Sequence, residues 1–239
     1  MVLVLLAMVA FAQEATPLLD GRLFLRPGKL PRAEQELVNS RILAAAQKAW
    51  QERGRDVTCE PGSEPAVIDG ASGSFTRRGV TQRAVLYKYC TYGHNLALDG
   101  IAVLEKGAVV AHILFEGGEN RSIAALPDIN SNGISEIAIS TAATNQGITT
   151  RWVSIIEMGA SQIKRLGRIE IFSDDCGVME AGCKISANRI SVQSGNRPVF
   201  WREAFVNTGQ EKGLAAWSNT IGLTPVELDQ DEVTYEVLK

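Results

Sequence analysis

Residues 128–140 read DINSNGISEIAIS, and this stretch decides how the rest of the chain is interpreted. Oxygen-bearing side chains occupy its alternating early positions and its ninth position: Asp128, Asn130, Asn132 and Glu136. Alternate residues of a tight loop can turn inward to one point, and Gly133 permits a sharp bend with positive φ. The following residues alternate between apolar and polar, which predicts that the loop runs straight into a β-strand.

This set of side chains suits a hard cation such as calcium, which takes about six to eight oxygen ligands. The predicted ligands are the four side chains above and the backbone carbonyl of Ile134. Because Asp128 and Glu136 alone carry charge, we expect affinity in the range of extracellular modules, about 10⁻⁴–10⁻³ M, and a structural role for the ion. An Asn/Asp/Gly-rich stretch is also typical of an ion-free turn whose side chains cap the backbone.

The loop does not match an EF-hand, which needs a Glu where this chain has Ile139 and a helix where it has a predicted strand. A calcium loop that enters a strand directly resembles the FG-GAP or VCBS repeat, the blade unit of integrin-α-type β-propellers and of many bacterial surface proteins. The matching residues are Asp128, Asn130, Asn132, Gly133 and Glu136, with residues 123–126 as a lead-in strand. The resemblance implies calcium-loop β-meanders arranged as a partial propeller or a sandwich.

Two stretches of similar length, residues 73–117 and 121–172, have the expected size of such a unit. The first contains a degraded loop at residues 73–76, without acidic ligands, that runs into a predicted strand at residues 83–89. A third unit from residue 184 onward is arguable. A closed propeller needs at least four units, so we do not expect a complete ring.

The chain divides into three predicted regions. Residues 1–12 contain an unbroken apolar run followed by Ala10-Phe11-Ala12, which is typical of a signal peptide and too short to span a bilayer; a buried N-terminal strand is the alternative. Residues 13–56 form an extension, with a short strand at residues 22–25, and one amphipathic helix at residues 32–53. Residues 57–239 form a β-rich domain. Its predicted strands lie at residues 83–90, 100–105, 108–115, 135–140, 150–156, 163–172, 189–192, 199–205 and 233–238, with a two-residue hairpin at Lys106-Gly107.

Four cysteines in an exported chain favour two disulfides. Cys176 and Cys183 are close in sequence and bracket a glycine-containing loop, so we pair them and pair Cys59 with Cys90. The absence of CxxC spacing disfavours zinc. A net charge of −3 and a pI near 5.6 predict no nucleic-acid footprint.

Two groups of residues could carry hydrolytic chemistry. His94, with Asp99 nearby, could activate Ser122, but no GxSxG motif is present. Asp174-Asp175, with Glu170 or Glu180, could be paired carboxylates, although adjacent acids are more often a solvated turn.

Neither group amounts to a catalytic centre, so we predict none. Aromatic residues could form a platform for stacking sugars or pack in the core: Tyr87, Tyr89, Tyr92, Trp201 and Trp217.

The sequence therefore predicts a secreted, periplasmic or cell-surface module without enzymatic activity, stabilised by one calcium ion and without a membrane span once the signal is removed. We expect it to bind a protein or glycan ligand or to give structural support. The alternatives are a small extracellular hydrolase using His94 or Asp174-Asp175, and an inhibitor or adaptor for a protein partner.

Overall fold

The structure, a computed structural model, describes residues 15–23, 31–52, 59–92, 96–159, 162–178, 183–207, 216–230 and 233–238. The predicted signal peptide and His94 lie outside these residues. Within them, antiparallel strands form two sheets, so the prediction of a mainly β fold is confirmed. The strands are β1 (Thr16–Asp20), β2 (Ala66–Gly73), β3 (Gln82–Tyr92), β4 (Leu96–Glu105), β5 (Ala108–Gly117), β6 (Glu119–Ala125), β7 (Ile137–Asn145), β8 (Ile148–Met158), β9 (Ile163–Asp174), β10 (Ile185–Gln193), β11 (Val199–Asn207), β12 (Ser218–Val226) and β13 (Tyr235–Val237).

The smaller sheet has the order β13-β5-β4-β3-β2, and the larger has the order β12-β11-β10-β9-β8-β7-β6, with β1 paired to β10. Neighbouring strands are mostly consecutive in sequence. At Lys106-Gly107 both residues have positive φ (49° and 80°), as a two-residue hairpin requires. The chain passes from the smaller sheet to the larger at Gly118, between β5 and β6.

The helical segment comprises α1 (Arg32–Leu37), a π-helical stretch (Val38–Ile42) and α2 (Leu43–Glu52). It packs its apolar side on one face of the smaller sheet, where it buries Val38, Ile42, Ala46 and Trp50 against strand residues such as Leu98 and Leu114. No helix in the described ranges is long and apolar enough to cross a bilayer.

Several predicted strand boundaries were wrong. Arg22 lies in a turn, and the strand of the N-terminal extension is β1 instead. The strand after the loop begins at Ile137 rather than at Ser135. The sequence patterns did not indicate β2 and β12.

Both disulfides join the cysteines that were paired from the sequence, Cys59 with Cys90 and Cys176 with Cys183. The first attaches the segment before β2 to β3. The second closes the connection between β9 and β10. Disulfides persist in oxidising compartments, so this pair of bonds indicates an extracellular type of environment.

Apolar residues from the two sheets meet in a shared core that includes Ile101, Ile113, Phe115, Ile137 and Ile139. A second core lies within the larger sheet, where residues of β7, β8 and β9 pack against residues of β10 and β11. For reference we divide the strands in chain order into three groups, β2 to β5, β6 to β9 and β10 to β12; the first lies in the smaller sheet, and the other two are parts of the larger sheet, joined where β9 and β10 pair over three residues.

Two buried aspartates of the smaller sheet attach β6 to it. Asp69 in β2 accepts a hydrogen bond from the backbone N–H of Ile123 at 2.9 Å. Asp99 in β4 is fully buried and forms an ion pair with Arg121, whose nitrogen lies 2.6 and 2.7 Å from the two carboxylate oxygens. Burial raises the pKa of Asp99 to about 7, although Arg121 opposes this effect. Removing either partner of such a pair leaves a buried group uncompensated.

We therefore expect Arg121→Met to lower the free energy of unfolding by about 3–5 kcal/mol, because Asp99 would be buried without its cation and would have to stay ionised there or take up a proton. The double variant Asp99→Asn/Arg121→Met should be the more stable of the two, since an amide at position 99 needs neither a cation nor a proton. Urea unfolding at neutral pH measures both. A double variant less stable than Arg121→Met would contradict this account of the pair.

A second buried polar pair lies on the helix-facing side of the smaller sheet. The Tyr87 hydroxyl and His112 Nε2 are 2.5 Å apart, and both side chains are buried. Gly100, opposite Tyr87 in β4, leaves the space for the phenol, because a Cβ there would lie 2.2 Å from the hydroxyl. Burial lowers the pKa of His112 to about 4.

This lowered pKa predicts acid sensitivity. Between pH about 6.5 and 4 the unfolded chain binds a proton at His112 that the folded chain does not, so stability falls as the pH falls. The total loss from this residue approaches about 3 kcal/mol by pH 4. Asp99 acts in the opposite direction over the same range, so the informative quantity is the difference between wild type and His112→Gln, which keeps an acceptor for Tyr87. Parallel pH profiles of urea unfolding for the two proteins would refute the assignment.

Candidate functional site

Residues 126–136 form the loop that connects β6 to β7. The N–H of Leu126 donates to the carbonyl of Glu136 at 2.8 Å, which closes the loop at its base. Ser131 and Gly133 have positive φ, 60° and 84°, so the chain bends sharply where the sequence predicted it. We call residues 126–136 the Asp128 loop.

The side-chain oxygens of the Asp128 loop turn inward. Asp128 accepts hydrogen bonds from the backbone N–H groups of Asn132 and Gly133 at 3.0 and 2.6 Å. Asn130 Oδ1 lies 3.2 Å from the same Asn132 nitrogen, and Asn132 Oδ1 accepts from the N–H of Ile134 at 2.8 Å. Asp128, Asn130 and Asn132 are therefore brought together, and their oxygens satisfy the backbone donors of the bend.

Glu136 is different, because it is fully buried and only half satisfied. Its Oε2 accepts from the N–H of Ile129 at 3.0 Å, whereas Oε1 has no hydrogen-bond partner in the described part of the chain. Burial raises the pKa of Glu136 to about 7; the backbone N–H groups of Ile129 and of Glu136 itself oppose the rise, and the charges of Glu157 and Asp128 add to it. A nearby cation would favour the ionised carboxylate.

Glu157, near the end of β8, is a functional candidate that sequence reasoning missed. Its Oε2 lies 2.5 Å from the side-chain nitrogens of both Asn130 and Asn132. The sequence interpretation identified no carboxylate outside the loop, and the structure places Glu157 beside it. No local spacing connects residues 130 and 157, so only knowledge of the strand order could have revealed the contact.

The Asp128 loop touches all three groups of strands. Ser135 and Ser74 exchange two hydrogen bonds, N–H to carbonyl at 2.9 Å and N–H to hydroxyl at 3.3 Å, which joins the loop to the β2–β3 connection. Glu157 joins it to β8. The N–H of Gly195, in the β10–β11 turn, donates to the carbonyl of Ile129 at 3.0 Å. The predicted degraded loop near residue 74 therefore lies directly against the Asp128 loop.

The donor set fits an oxygen-liganded cation. In the described residues, no three His, Cys, Asp or Glu side chains are close enough to hold a metal by themselves. A site here would therefore depend on amide and carbonyl oxygens as well as on Asp128 and Glu136, as calcium permits and zinc does not favour. The unpartnered Oε1 of buried Glu136 is the atom that such an ion would satisfy.

The residues considered for hydrolysis are not assembled in this way. Asp174 and Asp175 accept hydrogen bonds from the backbone N–H groups of Cys176 and Lys184 at 2.9 and 2.5 Å, so they cap the loop closed by the Cys176–Cys183 disulfide. Ser122 is buried in β6. His94 and Glu180 lie outside the described residues.

The five aromatic residues considered for sugar stacking do not share one surface. Tyr87 is buried, and Tyr89 and Tyr92 pack beside it against the core under the helix. Trp201 lies in the other sheet, in β11, and Trp217 packs against the second core. An open cleft of about 280 Å³ lies elsewhere, between the two sheets, where the Arg168 guanidinium stands 4.7 Å from the centre of the Trp152 ring.

Comparisons with known proteins give no further assignment: no family model, curated protein or solved structure matches this chain.

Gly133 permits a test of how tightly the loop is packed. A Cβ at Gly133 would meet Arg78 Cγ and Cδ at 2.7 Å, whereas Gly107 has a similar φ and open space around it. We expect Gly107→Ala to cost about 1–2 kcal/mol from the left-handed backbone alone, and Gly133→Ala to cost more. Adding Arg78→Ala to Gly133→Ala should remove the excess. Equal costs for the two single variants in urea unfolding would show that the Arg78 side chain can leave Gly133 without a measurable loss of stability.

Proposed function

We propose that this chain is an exported, non-enzymatic module whose Asp128 loop is stabilised by one calcium ion, and that it binds a protein or glycan ligand or gives structural support at the cell surface. One observation carries the calcium assignment. Glu136 is a fully buried carboxylate with one unpartnered oxygen among the described residues, and it is the last residue of a loop in which Asp128, Asn130 and Asn132 turn their side-chain oxygens inward. Such a group is costly unless a cation or a proton compensates it.

The residues that would hold the ion are Asp128, Asn130, Asn132 and Glu136, with the carbonyl of Ile134. When bound, calcium would neutralise the carboxylates without transferring a proton or activating a substrate. Because the Asp128 loop contacts three groups of strands, a stabilised loop would strengthen their packing. This favours a structural role for the ion.

The antiparallel order of consecutive strands in both sheets supports the proposed likeness to FG-GAP or VCBS units. The loop leaves β6 and leads into β7, which is the relation that the resemblance implies. On this likeness, the strands would be arranged as a partial propeller or a sandwich. The two disulfides support export.

For the binding partner, we propose only a chemical class, a protein or a glycan. The cleft beside Trp152 and Arg168 offers an aromatic ring with an adjacent cation, which suits a polar ligand with apolar faces, such as a glycan. The hydrolase alternative would require His94 or the Asp174-Asp175 pair. Asp175→Asn that abolished a hydrolytic activity of the purified protein would favour that alternative.

The calcium assignment predicts a stability effect. At about 10 mM calcium, roughly 10–100 times the expected Kd, the free energy of unfolding should rise by about 1.4–2.7 kcal/mol relative to chelator. Asp128→Asn keeps an acceptor oxygen but removes a charge, so the rise should shrink. Thermal unfolding with calcium, magnesium or chelator measures the effect.

Glu170→Gln is the matched control, since it removes one carboxylate from β9, away from the loop. It should keep the full response to calcium. If the stability of wild type were the same in calcium and in chelator, or if calcium stabilised Asp128→Asn as much as wild type, the calcium assignment would fail.

A further inference from the structure

Glu157 has an unusual set of contacts for a strand residue. Its cross-strand neighbour in the β8–β9 ladder is Lys164. Residues directly opposite in an antiparallel pair present their side chains on the same face, so an ion pair with Lys164 would be the simple arrangement. In the described residues Glu157 forms no ion pair, and its Oε2 instead accepts hydrogen bonds from Asn130 and Asn132.

These two contacts determine which way the Asn side chains face. An amide that donates its nitrogen to Glu157 must direct its oxygen to the opposite side. Both oxygens do face the bend, where they meet the backbone N–H groups of Asn132 and Ile134. One carboxylate on a rigid strand thus orients two of the predicted ligands of the cation site.

The charges around the loop lead to the same residue. Asp128, Glu136 and Glu157 are three carboxylates, and none has an ion-pair partner in the part of the chain that the structure describes. Arg78 is the basic side chain that lies over Gly133, and it too forms no ion pair there. The three acids are not close enough to share a metal as direct ligands. Glu157 therefore acts through the amides, while the unpartnered, fully buried Glu136 oxygen provides the independent sign of a ligand.

We propose that Glu157 is the positioning residue of the Asp128 loop: it accepts both side-chain amides, sets the oxygens of Asn130 and Asn132 toward the ion, and adds a third negative charge to a calcium site. The effect of Glu157 on calcium affinity rests on the proposed function, whereas its effect on the order of the loop is independent of it. Hydrogen-bonded groups behind metal ligands commonly change affinity by about 10- to 100-fold when removed.

The experiment compares wild type, Glu157→Ala, Glu157→Gln and the charge-matched control Glu170→Gln. Calcium affinity is measured by calorimetric titration with calcium chloride. We expect Glu157→Ala to raise the Kd by about 10- to 100-fold, Glu157→Gln to raise it less because its carbonyl oxygen still accepts an amide, and Glu170→Gln to leave it unchanged.

Hydrogen exchange in the calcium-free protein provides the readout that is independent of the ion. Glu157→Ala should speed exchange at the backbone amides of Asn132 and Ile134, and Glu157→Gln should restore slow exchange. If wild type binds calcium and Glu157→Ala changes neither the Kd nor the exchange rates, the role of Glu157 is overturned and the proposed function stands. If wild type binds no calcium but exchange is faster in Glu157→Ala, the calcium assignment is overturned and the positioning role is supported.

Discussion

The position of β6 depends on two buried aspartates that reach across from the smaller sheet. Asp69 holds the backbone of β6 through the N–H of Ile123, and Asp99 holds its Arg121 side chain. Gly118 alone separates β6 from β5, so the one-residue connection restricts the position of β6 relative to β5. At Gly117 a Cβ would lie 2.0 Å from an Asp99 oxygen, which shows how closely the ion pair fills this crossing. Since the Asp128 loop follows β6 directly, these contacts also determine where the loop lies.

The Asp128 loop has two separate requirements: hydrogen bonds for the backbone of its bend and compensation for its carboxylate charges. The sequence alone does not show which of the two is met. Its bend is satisfied without an ion, because the oxygens of Asp128 and Asn132 already accept from backbone N–H groups. Its charge is not satisfied, because Glu136 and Glu157 add carboxylates without cations among the described residues. On the proposed function, the ion-free turn and the calcium site are compatible descriptions of one shape. They differ in whether a cation compensates the buried Glu136 carboxylate.

Features set by short-range sequence could be predicted, and features set by strand order could not. The hairpin could be predicted from Lys106-Gly107, and the second disulfide could be predicted from the spacing of Cys176 and Cys183, because both features depend on residues close in sequence. By contrast, β2 contains Gly70, Ala71 and Gly73 and lacks a clear alternation, so only its pairing with β3 makes it a strand. Likewise, β12 is exposed along most of its length and has no buried face to impose a period of two. Glu157 belongs to the same class, because its partners lie 25 and 27 residues away.

A loop that is ordered before the ion arrives would bind calcium differently from one that folds around it. Glu157 accepts hydrogen bonds from two side chains of the Asp128 loop, and Ser74 bonds to Ser135, so the loop is held in place without an ion. Ion binding would therefore lose little free energy to ordering the loop. The favourable energy would then come from compensating Glu136 and its neighbouring acids. Two amide ligands weaken such a site, whereas preorganisation and a third carboxylate strengthen it. On the proposed function, this balance suits an ion that stabilises the junction of three groups of strands at a steady extracellular calcium level, and it does not suit a switch that must release the ion.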